Sequence, residues 1–199
     1  MIKAKTDAMK NAGPDDKTEM IRAGAEDALK NIGPDDARIN SGFINEAEEI
    51  RIRLAEEQDL PDMARIEADN FSEPWSLKGF QDAMNLPETA RLFAAVDEKD
   101  HLLGYLVLYF TDFDGELETV AVEKGYRGHG IGGALLSAML DFGREKKLEQ
   151  IVLEVRPSNG PALALYKDRG FLPCGIRKNF YSFPTEDAIV MSYSFRNHQ

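Results

Sequence analysis

The sequence predicts one mixed α/β (α+β) sheet domain with the element order βααβββαβαββ, preceded by a helical extension. Three features carry that expectation. Between Ile50 and Phe195, segments with apolar residues at every second position alternate with segments in which they recur at about 3.6-residue spacing. Three strand patterns, Arg91 to Val96, Leu102 to Thr111 and Glu116 to Val122, follow one another with no helix between them, as in an antiparallel meander. After the third, a glycine-rich turn opens directly into an amphipathic helix and a further strand, the pattern of a right-handed parallel crossover.

Residues 1–48 read differently from residues 49–199. Asp7 to Asp16 (DAMKNAGPDD) recurs 20 residues later as Asp27 to Asp36 (DALKNIGPDD), an internal duplication. Each copy carries Gly-Pro, a helix C-terminal signal. Asp16 and Glu19 have the spacing of an N-cap and capping box, and Ile21, Ala25, Ala28, Leu29 and Ile32 form one apolar stripe. Two short helices are expected. Two copies are too few for a self-supporting solenoid, which needs about three. The extension therefore docks on the main domain or a neighbour, or stays partly mobile.

In the domain proper, Ile50-Arg51-Ile52-Arg53-Leu54 alternates as a first strand. Asp59 begins a helix through Met63, Ile66 and Phe71, which Glu73-Pro74-Trp75-Ser76 breaks. Ser76 is placed to cap a second helix carrying Leu77, Phe80 and Met84, ending before Pro87. Trp75 is either core filler or the wall of a substrate channel. The meander follows and turns at Glu98-Lys99-Asp100-His101. Ile131, Leu135, Leu136, Met139, Leu140 and Phe142 make the apolar face of the helix after the glycine turn, and Gln150 to Val155 is the next strand. Asn159-Gly160-Pro161 opens a helix with Ala162, Leu165 and Tyr166 that Gly170 stops; Phe171 to Lys178 and Ala188 to Phe195 supply the last two strands.

Composition narrows the function classes. The chain is 43% hydrophobic with a formal charge of −11, which argues against nucleic-acid binding, since that leaves a basic footprint. The acidic balance fits a basic partner or substrate, or only solubility. No apolar run approaches the roughly 18 residues of a membrane span, and Met1 to Lys5 lead into no signal-peptide core. The single Cys174 forbids an internal disulfide, so a reducing, cytoplasmic setting is expected. Three histidines (101, 129, 198) and one cysteine lie scattered without ligand spacing, so no metal site is expected.

The chemistry concentrates in Tyr126-Arg127-Gly128-His129-Gly130-Ile131-Gly132-Gly133. The first N–H groups of a helix have no intrahelical partners, and the helix dipole adds partial positive charge, so this turn favours an anion such as a pyrophosphate. Arg127 adds a full charge, and glycine lets a ligand approach the backbone. Read as G-x-G-x-x-G (Gly128, Gly130, Gly133), with Glu154 about 20 residues on, the turn matches a dinucleotide fingerprint. That fingerprint should follow its strand immediately, whereas Glu123 to Arg127 intervene here, and it expects further βα units than the remaining chain can hold.

Read as R-x-x-G-x-G (Arg127, Gly130, Gly132), the turn resembles the acetyl-CoA loop of the GNAT N-acetyltransferases, over about residues 49–196. Within that family the chain is most similar to the RimI group, which acetylates the N-terminal alanine of a small-subunit ribosomal protein. Pro74-Trp75-Ser76, Val120-Ala121-Val122, Leu153 to Asn159, Ala164-Leu165-Tyr166, Gly170-Phe171, Asn179-Phe180-Tyr181 and Glu186-Asp187-Ala188 carry the likeness. Phe180 departs from the family's usual tyrosine, and Pro157 and Pro161 also depart from its usual run.

The resemblance implies acetyl-CoA as cosubstrate, with Val120, Ala121 and Val122 holding the pantetheine arm where a β-bulge splays two strands. Arg127, Gly128, His129, Gly130, Ile131, Gly132 and Gly133 would receive the pyrophosphate, His129 through its backbone. Asn159 would reach the cofactor, although an Asn before Gly is equally at home as a helix cap. Glu154 is implied as the proton acceptor and Tyr166 as the proton donor. Their alternatives are a carboxylate paired with Arg156 or a lysine, and a core aromatic. Loops bearing Pro74-Trp75-Ser76 and Asn179-Phe180-Tyr181 would flank the acceptor, with Glu73, Glu186 and Asp187 available to a basic second residue. The expected partner is a protein N-terminus, with no nucleic acid and no membrane. A small-molecule amine is the alternative substrate, and a silent acyl-CoA-binding module a third reading.

Overall fold

The computed structural model describes residues 50–198; the duplicated segment of residues 1–48, read above as a helical extension, lies outside the described residues. Within them the elements are β1 (Arg51–Leu54), α1 (Leu60–Asn70), α2 (Leu77–Met84), β2 (Ala90–Val96), β3 (Leu102–Phe110), β4 (Asp114–Val122), α3 (Ile131–Lys146), β5 (Gln150–Val155), α4 (Gly160–Asp168), β6 (Leu172–Ser182) and β7 (Thr185–Ser194), the expected order. They build one seven-stranded sheet in the order β1-β2-β3-β4-β5-β7-β6. Its only parallel pair is β4 with β5. A dinucleotide fold needs a mostly parallel sheet, so the G-x-G-x-x-G reading falls.

Local chemistry explains the helix starts. Ser76 Oγ accepts from the Gly79 N–H at 3.2 Å and caps α2, and Asn159 Oδ1 accepts from the Ala162 N–H at 3.2 Å and caps α4. Asp59 stands at the N-cap of α1, as expected, but its side chain does not cap the helix. It ends a 3-10 turn, Glu57–Asp59, and its carboxylate receives Arg53 at 2.6 Å and the Glu56 N–H at 2.7 Å, so α1 starts one residue later with Pro61 in its first turn.

Helices cover both faces of the sheet, so β2 and β3 are buried on both sides and read as continuous apolar runs. One core packs α3 and α4 against Leu117, Leu153 and Met191; the other packs α1 and α2 against Tyr105, Val107 and Ala121. The final hairpin extends well beyond its sequence estimate. Asn179 (φ 51) interrupts the register between Arg177 and Tyr181, its N–H held by Asp187 at 2.9 Å, and pairing resumes at Tyr181 with Glu186. Asn179-Phe180-Tyr181 is therefore a bulged strand end and not a loop, since pairing with β7 holds it to the sheet.

Candidate active site

β4 and β5 begin as neighbours and part. Their pairing runs from Asp114 with Gln150 to Leu117 with Leu153 and stops. On its other edge β4 stays paired with β3 as far as Val122, through a register shift that sets Leu117 opposite Leu108 and Thr119 opposite Val107, leaving Glu118 as an extra residue. Such a bulge reverses the face each following side chain meets. Leu117, Val120 and Val122 pack on the α3–α4 side, whereas Thr119 and Ala121 meet the α1–α2 side. A wedge opens between the two strands. The backbone of Val120, Ala121 and Val122 forms one wall, and Glu154 and Val155 stand on the other.

The glycine turn sits at the mouth of this wedge. Gly128 and Gly130 both have φ +81, the left-handed region, and a Cβ at either would meet nothing within 4 Å. The requirement there is conformational, and the space beside the backbone is open. Gly130 occupies the N-cap of α3 without a side-chain cap, and intrahelical bonding begins with the Ala134 N–H to the Gly130 carbonyl at 3.0 Å. The amides of Ile131, Gly132 and Gly133 thus have no intrahelical acceptor. Gly132 and Gly133 are glycine for a different reason. A Cβ on Gly132 would sit 3.1 Å from Leu165, and one on Gly133 would collide with the Arg169 guanidinium, so both let α4 pack closely on α3. His129 and Arg127 are exposed; Arg127 donates to Asn70 Oδ1 at the end of α1 and to the Val122 carbonyl at 3.4 Å.

Glu154 lies on β5 opposite Val190, its side chain 11% exposed, and pairs with Arg177 of β6 at 2.5 Å. Among the described residues neither Arg156 nor a lysine takes it. Arg156 instead reaches Glu186 at 3.2 Å and the carbonyls of Phe183 and Pro184, and stacks 4.1 Å from the Tyr181 ring centroid. The swap follows from strand order: β7 inserts between β5 and β6, and the β6–β7 hairpin brings Arg177 back over Glu154. Arg177 also lies 4.9 Å from the Phe180 ring centroid.

Tyr166 is buried on α4, its ring 5.9 Å from that of Phe171. Burial pushes its hydroxyl well above the usual phenol range, and the neighbouring Tyr181 pushes it further. Tyr181 is itself pushed up to about 12, by burial first and by the Glu154 charge second. Tyr181 thus stands within electrostatic reach of both Glu154 and Tyr166, a residue the sequence reading gave no chemical role. Asn159 spends its carbonyl oxygen on the α4 cap, so its NH₂ is the end left to donate.

On the α1–α2 side Trp75 is half-buried, its ring 5.3 Å from Phe80 and 6.3 Å from Tyr109. Two of the three carboxylates expected to meet a basic residue are already engaged: Glu186 by Arg156 and Ser158, and Asp187 by Lys178 at 2.6 Å. Glu73 is exposed. Among the described residues no three His, Cys, Asp or Glu side chains converge as metal ligands, and no helix is long and apolar enough to cross a membrane.

Residues 60–171 match the family model described as acetyltransferase (GNAT). The chain is 34% identical over 141 residues, 69% of its length, to the [ribosomal protein bS18]-alanine N-acetyltransferase of Escherichia coli strain K12, covering 92% of that protein. The crystal structure of the ribosomal-protein-S18-alanine N-acetyltransferase from Escherichia coli superposes with a TM-score of 0.66 at 32% identity, over 73% of this chain and 94% of that one. The NatC complex bound to Gag peptide and CoA contains a chain that superposes with a TM-score of 0.66 at 25% identity, over 74% and 99% of the two chains.

Proposed function

Starting from the fact that the chain belongs to the acetyltransferase (GNAT) family, we propose that it transfers the acetyl group of acetyl-CoA to the α-amine of a protein N-terminus beginning with alanine, a ribosomal protein being the natural candidate. The observation that carries this reading is the wedge between β4 and β5, with a positively polarised helix N-terminus at its mouth and Glu154, Tyr181 and Tyr166 gathered about it. The E. coli relative named for alanine N-acetylation supports the choice of acceptor.

The residues present fit acetyl-CoA. Val120, Ala121 and Val122 offer main-chain groups that β5 does not pair, suited to an amide-bearing pantetheine arm. Gly128 and Gly130 leave space beside the backbone, the amides of Ile131, Gly132 and Gly133 have no intrahelical acceptor and would donate to an anion, and Arg127, the His129 backbone and the Asn159 NH₂ would add donors. The cosubstrate supplies an activated thioester carbonyl and a thiolate leaving group. Glu154 takes the proton of the incoming ammonium, its carboxylate kept in place by Arg177. Tyr166, held protonated by burial, directs its hydroxyl proton to the departing sulfur.

An α-amine suits this modest base. Its unperturbed pKa near 8, against about 10.4 for lysine, leaves a neutral fraction about two orders of magnitude larger at pH 7.5. A peptide starting with alanine, incubated with acetyl-CoA beside lysine-bearing peptides and small amines, is therefore acetylated on its first nitrogen. Mass spectrometry locates the group. Modification of lysine in preference, or equal rates with a blocked N-terminus, overturns the proposal. Preferential turnover of a polyamine or aminoglycoside replaces it with small-amine acetylation. Because Glu186 and Asp187 are internally paired, Glu73 is the carboxylate left to favour a basic second residue, by about 0–1 kcal/mol as an exposed pair.

A further inference from the structure

Glu67, on α1, is a carboxylate in a dry place. The residue is 2% exposed, and Met63, Ile66, Phe80, Val107 and Ala121 belong to the same apolar core. No cation pairs with it among the described residues. Three donors from three different segments satisfy it instead: the Tyr105 hydroxyl from β3, the Thr119 hydroxyl from β4 at 3.0 Å, and the Trp75 N–H from the α1–α2 loop at 3.2 Å. Burial raises its pKa, and the three hydrogen bonds pull the other way.

Core stability alone does not call for such a group, since apolar residues of similar volume commonly replace buried charges at no loss. Its three contacts define what it does. Thr119 is the first residue after the bulge at Glu118, immediately before Val120 to Val122, and Trp75 is in the loop that leads to α2. The carboxylate thus joins the backbone of that loop to the strand at the point where it turns away from β5.

We propose that Glu67 is a positioning residue for the acceptor: through Thr119 and the Trp75 amide it sets the α1–α2 loop at a fixed height over the cofactor strand, and so shapes the seat of the peptide's first residue. This rests on the N-terminal acetylation reading above. Tyr105 braces the carboxylate from behind, its ring edge-on to Phe80 at 5.3 Å. Glu67 touches neither reacting group. Its effect belongs in acceptor binding, not in the chemical step.

The test uses the full chain and the single Trp75 as its own reporter. Glu67→Met keeps the core filled and removes all three acceptors. The expected result is a KM for the alanine-starting peptide raised about 10- to 100-fold, the range for one lost hydrogen bond to a charged group. The KM for acetyl-CoA and kcat stay near wild type, and Trp75 becomes more accessible to acrylamide quenching. Glu67→Gln, whose amide lets the two hydroxyls turn and accept, restores most of the peptide KM. Thr119→Val, which cuts the tie to β4 and leaves the Trp75 amide its acceptor, falls between, and decides the matter should Glu67→Met fail to fold. A lowered Tm with unchanged peptide KM and unchanged quenching overturns the proposal, as does an equal rise in both KM values. If the wild-type protein acetylates no peptide, the functional reading fails. Trp75 quenching in the Glu67 and Thr119 variants still reports whether the carboxylate places the loop.

Discussion

Glu154→Gln slows acetylation of an alanine-starting peptide by about 10²–10⁴-fold, the range for a lost general base, and leaves acetyl-CoA affinity unchanged. The amide has the size of the carboxylate and remains an acceptor for Arg177, so the β5–β7–β6 end of the sheet keeps its geometry. What disappears is the ability to hold the ammonium proton. Arg177, its side chain 34% exposed and lying over Phe180, retains solvent and an aromatic face as partners, so no bare charge is trapped in the core. Arg177→Gln is the control that separates the two roles of the carboxylate, because it removes the ion pair and keeps the base. Stopped-time assays with calorimetry on each variant read the outcome. An unchanged rate in Glu154→Gln would show that the carboxylate only anchors Arg177. Tyr166→Phe slows turnover without altering the acetyl-CoA affinity. Because burial keeps this hydroxyl protonated throughout the assay range, the wild-type pH profile has no falling alkaline limb from Tyr166.

Gly130→Asp abolishes acetyl-CoA binding in a calorimetric titration. Asp tolerates the left-handed backbone that Gly130 adopts at φ +81 better than most residues, so the fold survives and the loss is electrostatic. A carboxylate about 4 Å from a phosphate charge costs about 4 kcal/mol at the effective dielectric of a protein surface. That is close to a thousandfold in affinity at about 1.4 kcal/mol per decade. Gly130→Asn isolates the charge from the shape. It weakens binding far less, because it adds bulk where a Cβ meets nothing within 4 Å, and no negative charge. Affinity retained in Gly130→Asp would move the pyrophosphate away from the α3 N-terminus. Binding of NADH in place of acetyl-CoA would contradict the family's chemistry in this chain.

The order of elements, the start of α2 at Ser76 and the glycine turn opening α3 were legible in the sequence, and the cap of α4 at Asn159 was one of the two readings open there. Each depends on groups within a few residues of one another: apolar spacing, a side-chain oxygen three residues from an amide, a glycine where φ must be positive. The positions of Glu154 and Tyr166 relative to the wedge follow from the same order. What local pattern could not determine is who meets whom. Glu154 pairs with Arg177 across 23 positions, Thr119 reaches Glu67 across 52 and Arg127 reaches Asn70 across 57. Gly132 and Gly133 also let α4 pack closely on α3, beneath Leu165 and Arg169, a demand that the glycine pattern along the chain does not record. The even alternation of Leu117, Thr119 and Ala121 hides the bulge that sends the first to one face of the sheet and the other two to the opposite face. These pairings and facings exist only once β7 has inserted between β5 and β6 and both faces of the sheet have been covered, because they are set by distances between segments that no periodicity along the chain records.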